Sequence, residues 1–398
     1  MAIYRRALPS QICAPNPTYS SSNQRSSTTY TTLSQSSISS NMASTGVVKA
    51  GYWNCGSTFL VSDIKSSLFT HLFAAFADVN SSNYQVTFPT LYKLQFESFT
   101  QTVQIKNSGV KTLLSIGGGA SGVASALASM ASKKENRKIF IDSSITLARE
   151  NNFHGLCLSW LYPSTTSEMT NLESLLKEWR AAVDDEANKT RKCPLLLTAE
   201  VFYSSAIGSA SYPCTTIANT LDWINVLAFN FYSPGSSPTE TAPPAALKNK
   251  QNGSLCVEAS IKIWIDAGLK AKKIALCLPF VGWAWTLTNP LKHDLFAPAA
   301  GPALSVDGSI SFAQVKVFIT DQKATTEYND TYSTNYCYAG VTWIGYDDLE
   351  SVTNKVKYHA RKEQQLLGYF AWHVGADNNW SLSQKAFDTW DKCANSKQ

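Results

Sequence analysis

Between Phe153 and Pro163 the chain reads FHGLCLSWLYP, and its polar side chains include His154, Cys157 and Ser159. A histidine beside a cysteine is an acid/base or nucleophile set, because imidazole titrates near neutrality and can take the thiol proton. His154 begins the segment, however, where a structural hydrogen bond is the expected role. A second candidate is Glu200, which closes the run LLLTAE. A carboxyl buried at the end of an apolar run has its pKa raised and suits a general base. Cys157 and Glu200 are thus the two residues from which new chemistry would start. The nine cysteines include no CxxC pair, and no metal spacing or phosphate loop is present, so neither metal nor cofactor is expected.

These residues need elements to hold them. Short apolar runs recur at Leu72–Phe76, Thr112–Ile116, Leu195–Ala199, Ile224–Phe229, Ile274–Leu278 and Leu367–Ala371. Their length suits strands buried on both faces. Cys157 and Cys277 lie in such strands and read as buried thiols. Helical patterns lie between the strands. In Glu168–Val183 the residues Leu172, Leu175, Leu176, Trp179 and Val183 share one face, and Ser164 to Ser167 offer caps. Strand–helix–strand at this rhythm predicts parallel βα units, in a barrel or a doubly wound sheet. From Thr286 to about Ser351 the rhythm breaks into a segment rich in Pro, Gly, Ser, Thr and Tyr, with alternating runs such as Gln314–Ile319.

The segment at Phe153 resembles the fourth barrel strand of family 18 glycoside hydrolases, the chitinases, whose pattern is F-D-G-x-D-x-D-W-E-Y-P. Phe153, Gly155, Trp160, Tyr162 and Pro163 match it. His154, Cys157, Ser159 and Leu161 stand where the family carries Asp, Asp, Asp and Glu. LAFNFY at 227–232 resembles the sixth-strand M-x-Y-D-x-Y, with Phe229 for the Tyr and Asn230 for the Asp. Gly51-Tyr52-Trp53, THLFAAFADVN (70–80), KTLLSIGGG (111–119), KKIALCLPFVGWAW (272–285), CYAGVTWIGYDD (337–348) and LLGYFAWHVGADNNWSLS (366–383) resemble further family segments in the right order, the last two those of the plant class V branch.

The resemblance implies an α/β fold, a TIM (β/α)8 barrel over 46–393, with an α+β insertion at 286–351 between strands 7 and 8. It also implies that the family's chemistry is gone. Family 18 hydrolysis uses the substrate's own N-acetyl group with the help of that Glu and Asp. Leu161 has no proton to give, and a general acid is worth about 10²–10⁴-fold. Ser159 cannot stabilise a cation as a carboxylate does. What persists is aromatic. Trp372 stands at the eighth-strand Trp, the floor of the sugar cleft. Tyr52, Phe76, Ser159, Leu161, Phe229, Asn230, Tyr232 and Trp285 are further expected ligand contacts, and Trp160 is divided between cleft and core. Asp222, Asp347 and Asp377 are expected to make structural hydrogen bonds. A lectin-like protein binding chitin oligomers or N-glycan without cleaving them fits best. The alternatives are a barrel recruited to a small hydrophobic metabolite, and a structural or storage role.

Residues 1–45 are a different material, Ser/Thr-rich, with Arg5, Arg6 and Arg25 and no acid before Asp63. No apolar core of a secretory signal is visible. Three readings stay open: an organelle transit peptide, with a plastid as one destination; a disordered tail; or a gene-model artefact with Met42 as the start. The family resemblance implies secretion or a vacuole instead, which would make the sequons at Asn80, Asn188, Asn252, Asn329 and Asn379 matter. Residues 394–398 read as a tail. The net charge of +5 is scattered, which argues against a nucleic-acid partner, and no run approaches 18 apolar residues, so no membrane span is expected. A monomer with a carbohydrate or small-molecule ligand is the expected state.

Overall fold

The structure is a computed structural model that describes residues 46–249, 255–360 and 365–395. The leader and the Asn252 sequon lie outside the described residues.

Eight parallel strands form the centre: Val48–Asn54, His71–Val79, Lys111–Gly117, Gly155–Ser159, Leu196–Phe202, Trp223–Leu227, Ile274–Pro279 and Gly368–Trp372. Each pairs with the next, and the eighth pairs with the first, so the sheet closes into a TIM barrel. Alternation along the strands sorts the side chains into two apolar bodies. Leu114, Leu156, Leu158, Leu197, Ala199 and Val201 point outward and pack with the helices. Tyr52, Phe73, Leu113, Cys157, Trp223, Cys277 and Phe370 point inward and fill the barrel. The strands read as continuous apolar runs because both faces are covered.

The helix after the fourth strand shows how the surrounding layer is set. It spans Thr166–Thr190 and buries Leu172, Leu175, Leu176, Trp179 and Val183. Thr165 caps it. The Glu168 backbone N–H donates to the Thr165 hydroxyl, and the Glu168 carboxylate accepts from the Thr165 N–H, a reciprocal box. Arg137 of the preceding helix forks onto Glu178 at 2.9 and 2.6 Å, and Arg180 reaches Asp222 at 2.8 Å. Asp222 also accepts from the Leu197 N–H at 2.7 Å, so it ties helix to strand. Asp377 accepts from the Leu382 and Ser383 N–H groups at the start of the last helix, and Asp347 pairs with the buried Lys355.

Between the seventh and eighth barrel strands lies a six-stranded antiparallel sheet. Its first strand is Val281–Leu287 and its last Thr342–Tyr346, so it starts ahead of the expected Thr286. Only Phe280 separates it from the barrel strand, and the run KKIALCLPFVGWAW hides that break. The alternating run Gln314–Ile319 is not a strand. It lies in a helix, Phe312–Asp321, opened by a capping box between Ser311 and Gln314. The box supplies a helix start that short-range alternation does not reveal.

Barrel closure leaves no room at Gly368. A Cβ there would sit 1.7 Å from the Val48 carbonyl oxygen. Gly368→Ala is expected to prise the first and eighth strands apart and cost about 3 kcal/mol or more. Thermal unfolding followed by circular dichroism checks it; an unchanged Tm would contradict the closure described.

Candidate functional site

Active sites of such barrels lie at the C-terminal ends of the strands. Trp372 ends the eighth strand and is partly exposed there. Its ring meets Tyr52 at 5.5 Å and Phe76 at 5.7 Å between centroids. Tyr52 is stacked on Phe73 at 4.4 Å with an interplanar angle of 4°. The result is a column of rings with Tyr52 and Phe73 inside the barrel and Trp372 and Phe76 at its mouth. Offset and edge contacts of this kind add to the burial energy and hold each ring. The glycines of LLSIGGG are needed by this packing. A Cβ on Gly118, whose φ is +93°, would lie 2.6 Å from the Phe76 ring, and one on Gly117 would lie 2.6 Å from the Ser159 carbonyl.

Beneath the rings runs a polar chain. The Trp223 indole donates to Asn225 Oδ1 at 2.9 Å, and Asn225 Nδ2 donates to the Tyr52 hydroxyl at 2.6 Å. Tyr52 in turn lies 3.6 Å from Cys157 Sγ. Ser115 and Ser159 share a hydrogen bond at 2.9 Å. Where the family pattern has Asp residues, this chain therefore has neutral groups that satisfy one another. Asn225 is a hub that the sequence reading missed. Its signal was a lone amide in the apolar run WINVLAF.

Glu200 joins this layer from the fifth strand, opposite Asn225 in register. It is 5% exposed. Burial raises its pKa to about 7, against the Ser159, Tyr52 and Ser115 hydroxyls, which favour the charged form. Its Oε1 accepts no hydrogen bond.

The other chemical candidates separate. His154 sits at the opposite end of the fourth strand. Its Nδ1 accepts from the Thr112 N–H at 3.1 Å. Burial, then the Lys111 and Arg149 charges, lower its pKa to about 4, so it is neutral at pH 7. It is not paired with Cys157. The Cys157 thiol is pushed up to about 12, first by burial and then by Glu200, and carries no thiolate at neutral pH. The proposed His–Cys set is therefore corrected: the two lie at different depths of one strand, and the thiol is too desolvated to attack. Among the described residues no group of three or more His, Cys, Asp or Glu could hold a metal ion.

Of the expected ligand contacts, Phe76, Leu161, Tyr232 and Trp372 are partly exposed, and Asn230 is exposed at a φ of +54°. Phe229 is 9% exposed. Three others are corrected. Tyr52 and Ser159 are fully buried, committed to the hydrogen bonds above. Trp285 is also fully buried, in the inserted sheet against Trp343, with its indole donating to the Ser237 carbonyl at 2.8 Å. The accessible ring is Trp283, two residues earlier, whose indole donates to Asn230 Oδ1 at 2.8 Å. GWAWT places both tryptophans on one strand face, and sequence alone does not say which is covered. Trp160 is core: it points outward from the barrel, 2% exposed.

A family model described as glycosyl hydrolases family 18 matches residues 46–377. The chain belongs to this family. It is 53% identical over 345 residues to a class V chitinase of Arabidopsis thaliana, covering 87% of this chain and 90% of that protein. The structure superposes with a TM-score of 0.84 on a mutant class V chitinase from Nicotiana tobaccum solved in complex with NAG4, at 46% identity over 86% of this chain and 99% of that one. It superposes with a TM-score of 0.80 on a chitinase-like agglutinin from Robinia pseudoacacia, at 45% identity and the same coverage. The chain is thus a plant class V chitinase-like member of family 18. Against the family's fourth- and sixth-strand patterns the changed positions include His154, Cys157, Ser159, Leu161, Phe229 and Asn230, while Phe153, Gly155, Trp160, Tyr162 and Pro163 match.

Glu200 makes a stability prediction. Its folded pKa of about 7 lies above the unfolded value near 4.3. The folded state therefore holds the extra proton between those values, and stability falls as pH rises through that window. Glu200→Gln removes the charge and keeps the shape. It is expected to be more stable than wild type at pH 8, by up to about 3 kcal/mol, with the gain shrinking towards pH 4. Denaturant melts at both pH values check this; a gain independent of pH would contradict it.

Proposed function

We propose that this protein is a lectin-like carbohydrate-binding member of its family, taking chitin-type oligosaccharides or N-glycan cores in the barrel cleft without hydrolysing them. The observation that carries the reading is the pairing of a retained ring floor with a lining that has no acid in the family's places. Trp372 and Phe76 present apolar faces at the mouth, Trp283 and Asn230 stand linked beside it, and flat rings suit the C–H faces of pyranoses. Leu161 stands at the acid position, with its Cδ1 in van der Waals reach of a Cβ built on Gly119. It offers the glycosidic oxygen no proton. The relatives support the same direction: one is solved with NAG4 and another is an agglutinin.

Two variants test it. Trp372→Ala is expected to weaken oligosaccharide binding by about 30-fold or more, as loss of a central aromatic contact does, while Tm shows the fold intact. Tryptophan fluorescence titration reads the affinity, and an unaltered affinity would move the ligand away from the barrel mouth. Leu161→Glu combined with Ser159→Asp is expected to stay inactive on a chromogenic chitobioside, because Cys157, Phe229 and Asn230 keep the rest of the site unlike the family pattern. Recovered turnover would show that only two positions separate this cleft from an enzyme.

A further inference from the structure

Glu200 is the acid of the barrel interior that the family pattern does not account for, and its surroundings say what it lacks. The fifth strand aims it inward, because Leu197, Ala199 and Val201 of the same strand pack outward. The groups on which its charge acts come from three other walls: Tyr52 of the first strand, Cys157 of the fourth with Tyr162 just beyond it, and Cys277 of the seventh. Each of these four has its pKa raised, so each is neutral at pH 7. Ser115 and Ser159 complete the enclosure with hydroxyls. Among the described residues Glu200 forms no salt bridge, and Oε1 accepts no hydrogen bond. A buried carboxylate without a cation is costly. The missing partner is a positive, hydrogen-bond-donating group that arrives with the ligand.

We propose that the innermost sugar site, at the foot of the Trp372–Phe76 floor, takes a 2-amino sugar with a free ammonium group, which donates to Glu200. This rests on the carbohydrate reading above and refines it from N-acetylated to deacetylated sugar. Two observations favour an amine over an acetamide. The ammonium brings a positive charge and three donors to the unpartnered Oε1, whereas an acetamide brings a single neutral N–H and a carbonyl that must be held elsewhere. The positions by which the family pattern grips the N-acetyl group are here Phe229, which cannot donate, and Asn230, whose Oδ1 is already held by Trp283. Amines flanked by electron-withdrawing carbons titrate at roughly 8, as α-amino groups do. The pair is then charged between the two pKa values, and binding at pH 6.5 draws a proton off Glu200.

The test is calorimetric titration of the full chain at pH 7 with three tetrasaccharides of one backbone length: a glucosamine tetramer, its N-acetylated counterpart and cellotetraose. The glucosamine tetramer is expected to bind about tenfold or more tightly than the other two, the range of a charge-assisted hydrogen bond. Glu200→Gln is expected to abolish that margin and leave a common residual affinity. A second reading on the wild type avoids dependence on the variant's folding: at pH 6.5 the binding heat should change with buffer ionisation enthalpy, showing proton release. Three equal affinities would overturn the amine assignment and leave the sugar reading standing. A margin that survives Glu200→Gln without proton release would place the amine at an exposed acid and overturn it too. No binding by any of the three would overturn both.

Discussion

An eight-stranded barrel encloses a space only just wide enough for side chains, so each inward residue is in contact with residues from strands across the axis. This constraint governs the rest of the molecule. Tyr52 shows its reach: one ring stacks on Phe73, supports Trp372, accepts from Asn225 and approaches Cys157. A lining of this kind cannot lose one charged member and keep the others unchanged. The positions where the family pattern carries acids here hold small neutral groups in mutual hydrogen bonds, with Ser159 against Ser115 and Cys157 against Tyr52. At those two positions the replacing groups are hydrogen-bonded, whereas Glu200 Oε1 in the same layer is not.

The surface above that layer follows different rules. Trp372, Phe76, Trp283 and Asn230 remain accessible, and the inserted sheet brings Trp283 onto Asn230 from a separate part of the chain. Fold does not dictate use. The same barrel in relatives includes a chitinase and an agglutinin. The proposed function puts this chain, with its accessible rings and its lining without the family's acids, on the binding side of that division. Glu200 is the exception. It adds a desolvated carboxyl on a strand next to the one that carries the family's acids.

The barrel was legible because βα rhythm and family segments agree along most of the chain, and the replaced acids were legible because FHGLCLSWLYP keeps its flanking residues. What sequence could not give was depth and orientation. His154 and Cys157 are three residues apart, yet one is pinned at Thr112 and the other lies under Tyr52. Trp283 and Trp285 share a strand face, and only packing against Trp343 decides which is covered. Tyr52 sits in a mouth motif but is buried, because Trp372 folds over it. Cap chemistry at Ser311 overrode the local alternation at Gln314–Ile319.

The most direct test of binding without turnover is one mixture read twice. The full chain is titrated with the N-acetylglucosamine hexamer and with the glucosamine hexamer in a calorimeter, and the recovered solutions are then separated by chromatography after overnight incubation. The account predicts saturable heat at one site for at least one hexamer, with both hexamers recovered whole. Shorter oligomers in the recovered solution would contradict it, and so would the absence of heat from both.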